Sequence, residues 1–468
     1  MAEVEKKASV AIVGGGLVGA LAACFFAKRG HRVAVYEYRS DIRIDVMQGQ
    51  SINLALSLRG RETLRAVGLE DALVKNHGMI MRGRMVHNKD GSLKELLYDN
   101  VKGNSIYSVN RRHLNIILLN AAEKYPMVQL NFNKKLVDAD LMKGTMKFVS
   151  TETGLTEDAE ADLIIGADGA YSTVRRIMAR RQYFNYAQTY IKHKYVELTV
   201  PAGDNKETDL LRKFQMSGRN LHIWPRGEFM MTALPNEDRS FTGNLFAPFD
   251  IFDKLKTPEA VLSFYAEQFP DLLRLMGEPK LLKDFFLSEP KPLISIQCEP
   301  FHVGKTALLV GDAAHAMVPF YAQGMNTGFE DILVLDELMD RYDSDLAEVL
   351  PKFSQLRCDD AHAICDLAMY NYIEMRDLLT TKSYLFRKFI DRILYTFFPK
   401  FWIPLYISVQ FTRMGFRDCM INKEWQDKTR NTLPTTVTGD RLGISPNEYW
   451  KNPLPEKTTG ANPITLRT

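Results

Sequence analysis

The sequence predicts an α/β protein, α+β overall: a Rossmann-like dinucleotide-binding domain, an antiparallel-sheet domain and a C-terminal helical layer. Three observations predict it. A strand, a glycine turn, a helix, a second strand and an acid follow one another between residues 10 and 37. Two further apolar strands, at 161–175 and 306–315, end in Asp-Gly or Gly-Asp loops that open helices. Between those two, short alternating strands bounded by proline and glycine occupy about 185–300, a pattern expected of an antiparallel sheet.

Val10 to Val13 is an apolar run that reads as a buried parallel strand. It breaks into Gly14-x-Gly16-x-x-Gly19 and continues from Leu17 to Arg29 as a helix, which Gly30 stops. Arg32 to Tyr36 is the second strand, and Glu37 stands 18 residues beyond Gly19. Gly14 makes the tight turn, Gly16 lets backbone N–H groups approach a pyrophosphate, and Gly19 lets helix and strand pack closely. The phosphates would sit on the helix N-terminus, and Glu37 would accept the ribose hydroxyls. A glycine triplet alone also marks ordinary strand-to-helix turns; here the strand, helix and acid accompany it. Glu37 would repel a ribose 2′-phosphate, so the site suits FAD or NAD rather than NADP.

The segment from Ala161 runs into Asp168-Gly169 with Ser172 as a helix N-cap. The segment from Thr306 ends in Gly311-Asp312 and is followed by a glycine-containing loop and a long helix. An acid at a strand's carboxyl end, beside a loop that opens a helix, is placed to contact a second part of a long cofactor. The dinucleotide domain is therefore expected to be discontinuous, over 1–184 and 296–345. Within 185–295, strands at Tyr195–Val200, Asn220–Trp224, Phe229–Leu234 and Ser240–Phe246 should form a sheet closing one side of a pocket. From Asp331 to Phe398 the pattern is mostly helical, giving a C-terminal helical region at 346–430 and a polar tail at 431–468.

Composition narrows the class. The 468 residues allow two or three domains, and 46% hydrophobic with 25% charged residues is ordinary for a globular chain with a large core. A net charge of +3 gives no reason to invoke nucleic acid, and the Arg175-Arg176 and Arg180-Arg181 pairs read as a solvated helix face. Five cysteines lack metal-ligand spacing, and nine histidines form no HxxxH or HExxH pattern, so no metal site is expected. The odd cysteine count argues for a reducing compartment. The aromatic segment 393–412 is interrupted by Pro399, Lys400 and Pro404 and is too short to span a bilayer. Burial against the protein is the first expectation for it; membrane contact is the alternative.

GxGxxG with Glu37, Asp168-Gly169 and Gly311-Asp312 together resemble the three signatures of single-component FAD-dependent aromatic hydroxylases. Further motifs resemble the branch that hydroxylates L-kynurenine: Arg59-Gly60 after Ser51–Ser57, Met81-Arg-Gly-Arg-Met-Val-His87, and Leu221-His-Ile-Trp-Pro225. So do Val318-Pro-Phe-Tyr-Ala-Gln-Gly-Met-Asn326, Met369–Arg376 and Ile403-Pro-Leu-Tyr406. The resemblance runs in order over about residues 8–420. It implies FAD as cofactor, NADPH and dioxygen as co-substrates, and conversion of L-kynurenine to 3-hydroxykynurenine through a flavin C4a-hydroperoxide. NADPH would bind transiently, without a second GxGxxG.

The resemblance also implies site residues. Gly14, Gly16, Leu17, Gly19 and Glu37 would hold FAD, with Arg111 at its phosphates, Ala55 and Leu136 flanking it, and Asp168 and Asp312 along its length. Met325 and Asn326 would meet the isoalloxazine, and Phe320 and Gln323 belong to the loop covering it. No residue is assigned a catalytic role of its own, since the flavin carries the chemistry. Arg84 and Tyr98 would bind the substrate carboxylate, although a surface role for Arg84 is what spacing alone suggests. Leu97-Tyr98-Asp99 replaces the family's Pro-Tyr-Gly. Asn371, Glu374 and Tyr406 would complete the substrate site, while His222 and Trp224 fit pocket and core equally. Ala322 stands where the family has glycine, which would stiffen the loop. Eukaryotic members carry a C-terminal membrane anchor; the polar tail here points to a soluble cytoplasmic form of bacterial type, or to a truncated form from the mitochondrial outer membrane. The competing functions are hydroxylation of another anilinic or phenolic acid, and a binding scaffold without redox chemistry.

Overall fold

The computed structural model describes residues 7–44, 53–180, 183–203, 214–376 and 382–432. Ser51, Arg181 and the tail from 433 onward lie outside these residues.

Apolar strands need cover on both faces, and the first element shows why this chain supplies it. The strand Ser9–Val13 lies between Leu163–Gly166 and Arg32–Tyr36, parallel to both, with Val10 opposite Leu163 on one side and Val33 on the other. The full sheet runs in the order His302–Val303, Ala307–Leu309, Leu163–Gly166, Ser9–Val13, Arg32–Tyr36, Val128–Asn131. The helix Leu17–Lys28 is buried from Gly19 to Ala27 because it is apolar all round. Ile12 and Leu21 are fully buried, and each such side chain contributes about 1.5–3 kcal/mol. The sequence-predicted strands and helix thus appear with boundaries shifted by at most one residue.

The second sheet has seven strands in the order Lys291–Glu299, Asn185–Val200, Phe241–Pro248, Met230–Pro235, Asn220–Pro225, Gly83–His87, Leu93–Leu97. All four expected strands are present. Two of its strands come from residues 83–97, well before the 185–295 stretch, and one comes from 291–299. The link is the parallel pairing of Asn220–Pro225 with Gly83–His87, with Leu221 opposite Arg84. Four short helices between Phe249 and Leu287, not foreseen in a stretch that reads as strands, cover one face. The two-residue period of the Asn220–Pro225 strand sends Trp224 into that helix-covered core and Ile223 into the opposite one. Both sheets lie within a unit of residues 1–423, and the second takes two strands from the 1–184 stretch assigned from sequence to the dinucleotide domain.

The helices Gly324–Arg341, Leu346–Arg376, Lys382–Phe397 and Leu405–Phe411 form the C-terminal layer. The aromatic segment divides: Tyr395, Trp402 and Ile407 are buried together, whereas Phe397, Phe398 and Phe401 are exposed. Among the described residues no helix is long and apolar enough to cross a membrane.

Candidate active site

The three glycines of the first turn differ in physical reason. A Cβ on Gly14, at φ 108°, would lie 2.4 Å from the Ala167 carbonyl oxygen, and one on Gly19 would lie 1.9 Å from the Gly14 oxygen. Neither fits the protein's own packing. A Cβ on Gly16 would meet nothing within 4 Å, so the protein itself does not require glycine there. The open space lies at the N-terminus of the Leu17–Lys28 helix, where free N–H groups favour a phosphate. Glu37 stands beside it, 6% exposed. Its Oε2 accepts from Gly15 N at 2.7 Å and its Oε1 from Arg39 N and Nε at 3.1 and 2.9 Å. A phosphate cradle with an acid at the end of the second strand fits the adenosine diphosphate half of FAD.

The other expected cofactor residues divide between free and engaged groups. The Asp168 carboxylate accepts from the Ser172 hydroxyl and from Thr173 N at 2.6 Å and Val174 N at 3.1 Å, so it caps the next helix. Burial raises its pKa despite those bonds. Asp312 is exposed at the first turn of Asp312–His315, and lies near Gly324. Arg111 is exposed at the start of the helix Arg111–Glu123, close enough to Tyr195 and Glu197 to act on both electrostatically. Leu136 is buried in the core of the dinucleotide-binding part. Asn326 is fully buried and its amide is wholly engaged. It donates to the Ala55 and Ala322 oxygens at 2.8 Å each and accepts from Ser57 N at 2.9 Å. Its side chain therefore fastens the loop, and Ala55 is its partner. Met325 packs half-buried against the main core.

The expected substrate residues converge from four elements. Arg84, on the Gly83–His87 strand, is 6% exposed, with its guanidinium 4.7 Å from the Tyr406 ring centroid. Tyr98 and Tyr406 stack at 5.2 Å, and Tyr321 stacks on Tyr406 at 6.0 Å. Glu374 Oε1 stands 3.6 Å from Arg84 Nη1 and accepts from the Tyr384 hydroxyl at 2.7 Å. Lys388 is 3.9 Å from the same oxygen. Burial opposes the Glu374 charge, but Lys388, Arg84 and Tyr384 outweigh it and hold the carboxyl below its ordinary pKa. Burial likewise opposes the Arg84 charge, which Tyr406 and Glu374 sustain. Burial keeps the Tyr98 phenol protonated. Arg84 Nε and the Tyr98 hydroxyl are both buried without a well-aligned hydrogen bond, the hydroxyl standing close to Tyr406 and Arg84. Two orphaned donors in one aromatic cage are costly unless something occupies it.

Asn371 donates to the Phe320 oxygen at 2.7 Å, which ties the Leu346–Arg376 helix to the covering loop. Phe320 stacks on Tyr372 at 3.9 Å and meets Phe246 edge-on at 5.0 Å. Gln323 donates to Gln410 at 2.8 Å, and Gln410 donates to the Tyr321 oxygen at 2.9 Å. His222 and Trp224 lie away from the cage. His222 Nδ1 meets His87 Nε2 at 2.8 Å, and His87 Nδ1 and Trp224 Nε1 both reach Asp271 Oδ2, at 2.7 and 2.8 Å. Of the two readings open for them, the core is the one they occupy. Tyr384, Lys388, Tyr321 and Gln410 join the site without having been singled out from sequence. Glu374 and Tyr384 are ten positions apart on separate helices, so no spacing rule links them.

A dinucleotide fold, a sheet closing an aromatic cage beside it and a helical cover together define the class of FAD-dependent aromatic monooxygenases. The sequence matches the FAD binding domain family over residues 7–341. It is 54% identical over 420 residues to a kynurenine 3-monooxygenase of Anopheles gambiae, covering 90% of this chain and 85% of that one. It is 46% identical to that of Sus scrofa, covering 91% and 89%, and 39% identical to that of Myxococcus xanthus, covering 88% of each. The chain belongs to the kynurenine 3-monooxygenase family. Its fold also matches 2-methyl-3-hydroxypyridine-5-carboxylic acid oxygenase, with a TM-score of 0.65 at 22% identity, covering 81% of this chain and 96% of that one. The Pseudomonas aeruginosa protein pqsL, a probable FAD-dependent monooxygenase, matches with a TM-score of 0.61 at 18% identity, covering 80% and 97%.

Proposed function

We propose that this chain hydroxylates L-kynurenine at ring carbon 3, using NADPH and dioxygen, with Arg84 and Tyr98 as the anchor for the substrate carboxylate. The observation that carries the assignment is the pair of buried donors without a well-aligned hydrogen bond, Arg84 Nε and the Tyr98 hydroxyl, inside one aromatic cage. A carboxylate entering there accepts from both, and a guanidinium fork suits it geometrically.

FAD, when bound, supplies the redox chemistry that activates dioxygen. The chain's residues bind, orient and enclose. Gly14, Gly16, Leu17, Gly19 and Glu37 would hold the adenosine half of the cofactor, and Arg111 and Asp312, exposed at helix starts, would meet its remainder. Glu374, 3.6 Å from Arg84 and held by the Tyr384 hydroxyl, is the anionic group in the cage that would face the substrate ammonium as the carboxylate takes Arg84. Tyr406 and Tyr321 pack the aliphatic part, and Asn371 holds the Phe320 loop against the ring. That loop and the Leu405–Phe411 helix exclude water, which raises the strength of every polar contact inside. Lys388, Arg84 and Tyr384 keep Glu374 ionised, so Arg84 retains an anionic neighbour when the substrate is absent.

The test is the effect of the substrate on flavin reduction. NADPH should reduce the enzyme-bound flavin far faster with L-kynurenine present than without it. A decarboxylated kynurenine should give little acceleration. Equal acceleration by the two would remove the carboxylate anchor from the account.

A further inference from the structure

Arg59 has no part in the reading above, yet its guanidinium is enclosed on every side. It is 1% exposed. Its Nη1 donates to both oxygens of Glu330 at 2.7 Å, and its Nε donates to the Val409 oxygen at 3.3 Å. Its Nη2 donates to the Met414 oxygen, and its plane lies 4.0 Å from the Phe416 ring centroid. Val409 is in the Leu405–Phe411 helix that carries Tyr406, and Met414 follows its end. A helix C-terminus has unsatisfied carbonyls and a partial negative charge, so an inserted cation supplies both donors and field. Arg59, from the helix Leu58–Ala66, thus caps a helix remote in sequence.

What holds Arg59 also reaches the cofactor side. Glu330 receives Arg357 Nη1 at 3.3 Å, and Arg357 Nε bonds Asp331 at 2.9 Å. Asp331 accepts from Gly311 N at 2.9 Å and from His315 Nε2 at 2.6 Å, at the start and end of the Asp312–His315 turn. The other side of the Leu405–Phe411 helix meets the covering loop through Gln410 and Gln323. A buried ionic cluster of this size is a poor way to gain stability, since apolar residues of equal volume do as well or better. What it provides is a fixed geometry.

We infer that Arg59 is a positioning residue that sets the Leu405–Phe411 helix so that Tyr406 stacks on Tyr98 and Arg84, and that it couples the Gly311–Asp312 loop to the substrate cage. This rests on the substrate reading given above. Lysine at this position keeps the charge facing Glu330 but cannot also reach two carbonyls and cover the Phe416 ring, because it lacks the planar fork.

The experiment compares full-length, FAD-loaded wild type with Arg59→Lys. Four quantities are read: flavin content, the KM for NADPH, L-kynurenine binding from the flavin absorbance, and amide exchange along the chain. The substitution should keep the flavin and leave the KM for NADPH unchanged. It should weaken L-kynurenine binding by roughly tenfold, the scale of one charge-assisted hydrogen bond. Exchange should accelerate at 405–411 while Leu163–Gly166 stays protected. Wild-type affinity and wild-type exchange at 405–411 in the variant overturn the assignment. So does loss of flavin with exchange raised throughout, since Arg59 would then support the whole fold. A wild type that does not respond to L-kynurenine overturns the substrate reading and this assignment with it, and the wild-type control alone decides that.

Discussion

Arg84 and Glu374 face each other at 3.6 Å in a cage of tyrosines, and the contact leaves the Arg84 Nε unbonded. An arginine pointed at a carboxylate but not closed upon it keeps donor capacity that a second carboxylate could take. The same guanidinium lies over the Tyr406 ring, which fixes its plane. The fork is therefore oriented before a ligand arrives, and little side-chain entropy remains to be lost on binding.

Replacing Arg84 with methionine keeps an apolar stem and deletes the fork. Removing one partner of a buried charge pair typically costs about 2–5 kcal/mol, which weakens binding by well over tenfold. The variant should fold and hold FAD while L-kynurenine no longer perturbs the flavin absorbance at ordinary concentrations. Unchanged titration curves would move the carboxylate anchor elsewhere.

The two glycine substitutions should separate cofactor loss from fold loss. Gly16→Val places its side chain in the open space of the cradle, at an ordinary backbone conformation of φ −71° and ψ −172°. The expected product is a folded, colourless protein. Gly19→Ala places a methyl 1.9 Å from the Gly14 oxygen. Overpacking of this kind typically costs about 1–3 kcal/mol or more, so its melting temperature should fall with or without FAD. A yellow Gly16→Val protein contradicts the cradle.

Acid should destabilise the seven-stranded sheet through His222. Burial lowers its pKa from 6.5 to about 4. The unfolded chain then takes up a proton that the folded chain refuses, so stability falls as pH drops from 6.5 to about 4 and levels off below that. The full shift corresponds to roughly 3 kcal/mol. Denaturant melts of wild type and His222→Gln at pH 7 and pH 4.5 measure it. The variant should lose less stability between the two; equal losses would assign the acid sensitivity to other groups.

Ala322 adopts φ 55° and ψ 34°, the left-handed region, at the end of the Pro319–Tyr321 turn. An L-residue there costs about 1–2 kcal/mol relative to glycine, while glycine loses about 0.4–1 kcal/mol of that advantage through the unfolded chain. Ala322→Gly should leave the melting temperature unchanged or slightly raised, and Ala322→Val should lower it. A marked drop with glycine would mean that packing of the Ala322 methyl against the Ala55, Met81, Tyr98 and Ile106 cluster dominates.

The first strand, helix and second strand were legible because burial on both faces forces unbroken apolar runs, and the glycine turn punctuates them. The seven-stranded sheet was only partly legible. Its strands alternate as expected, but the pairing of Asn220–Pro225 with Gly83–His87 joins segments that no local rule connects. In the site, Arg84, Tyr98, Asn371, Glu374 and Tyr406 came from motif resemblance, and the structure brings Arg84, Tyr98, Glu374 and Tyr406 into one cage. Asn326 is the instructive case: the motif names the position, but only the fold reveals that its amide is fully engaged by Ala55, Ala322 and Ser57. Tyr384 and Lys388 were invisible because their roles depend on how one helix lies against another.

The measurement that bears most directly on the proposed function is NADPH oxidation by the FAD-loaded protein, with and without L-kynurenine, with the product weighed by mass spectrometry. L-kynurenine should strongly accelerate oxidation and gain the mass of one oxygen atom, at ring carbon 3. NADPH oxidation that ignores L-kynurenine, or that leaves its mass unchanged, would contradict it.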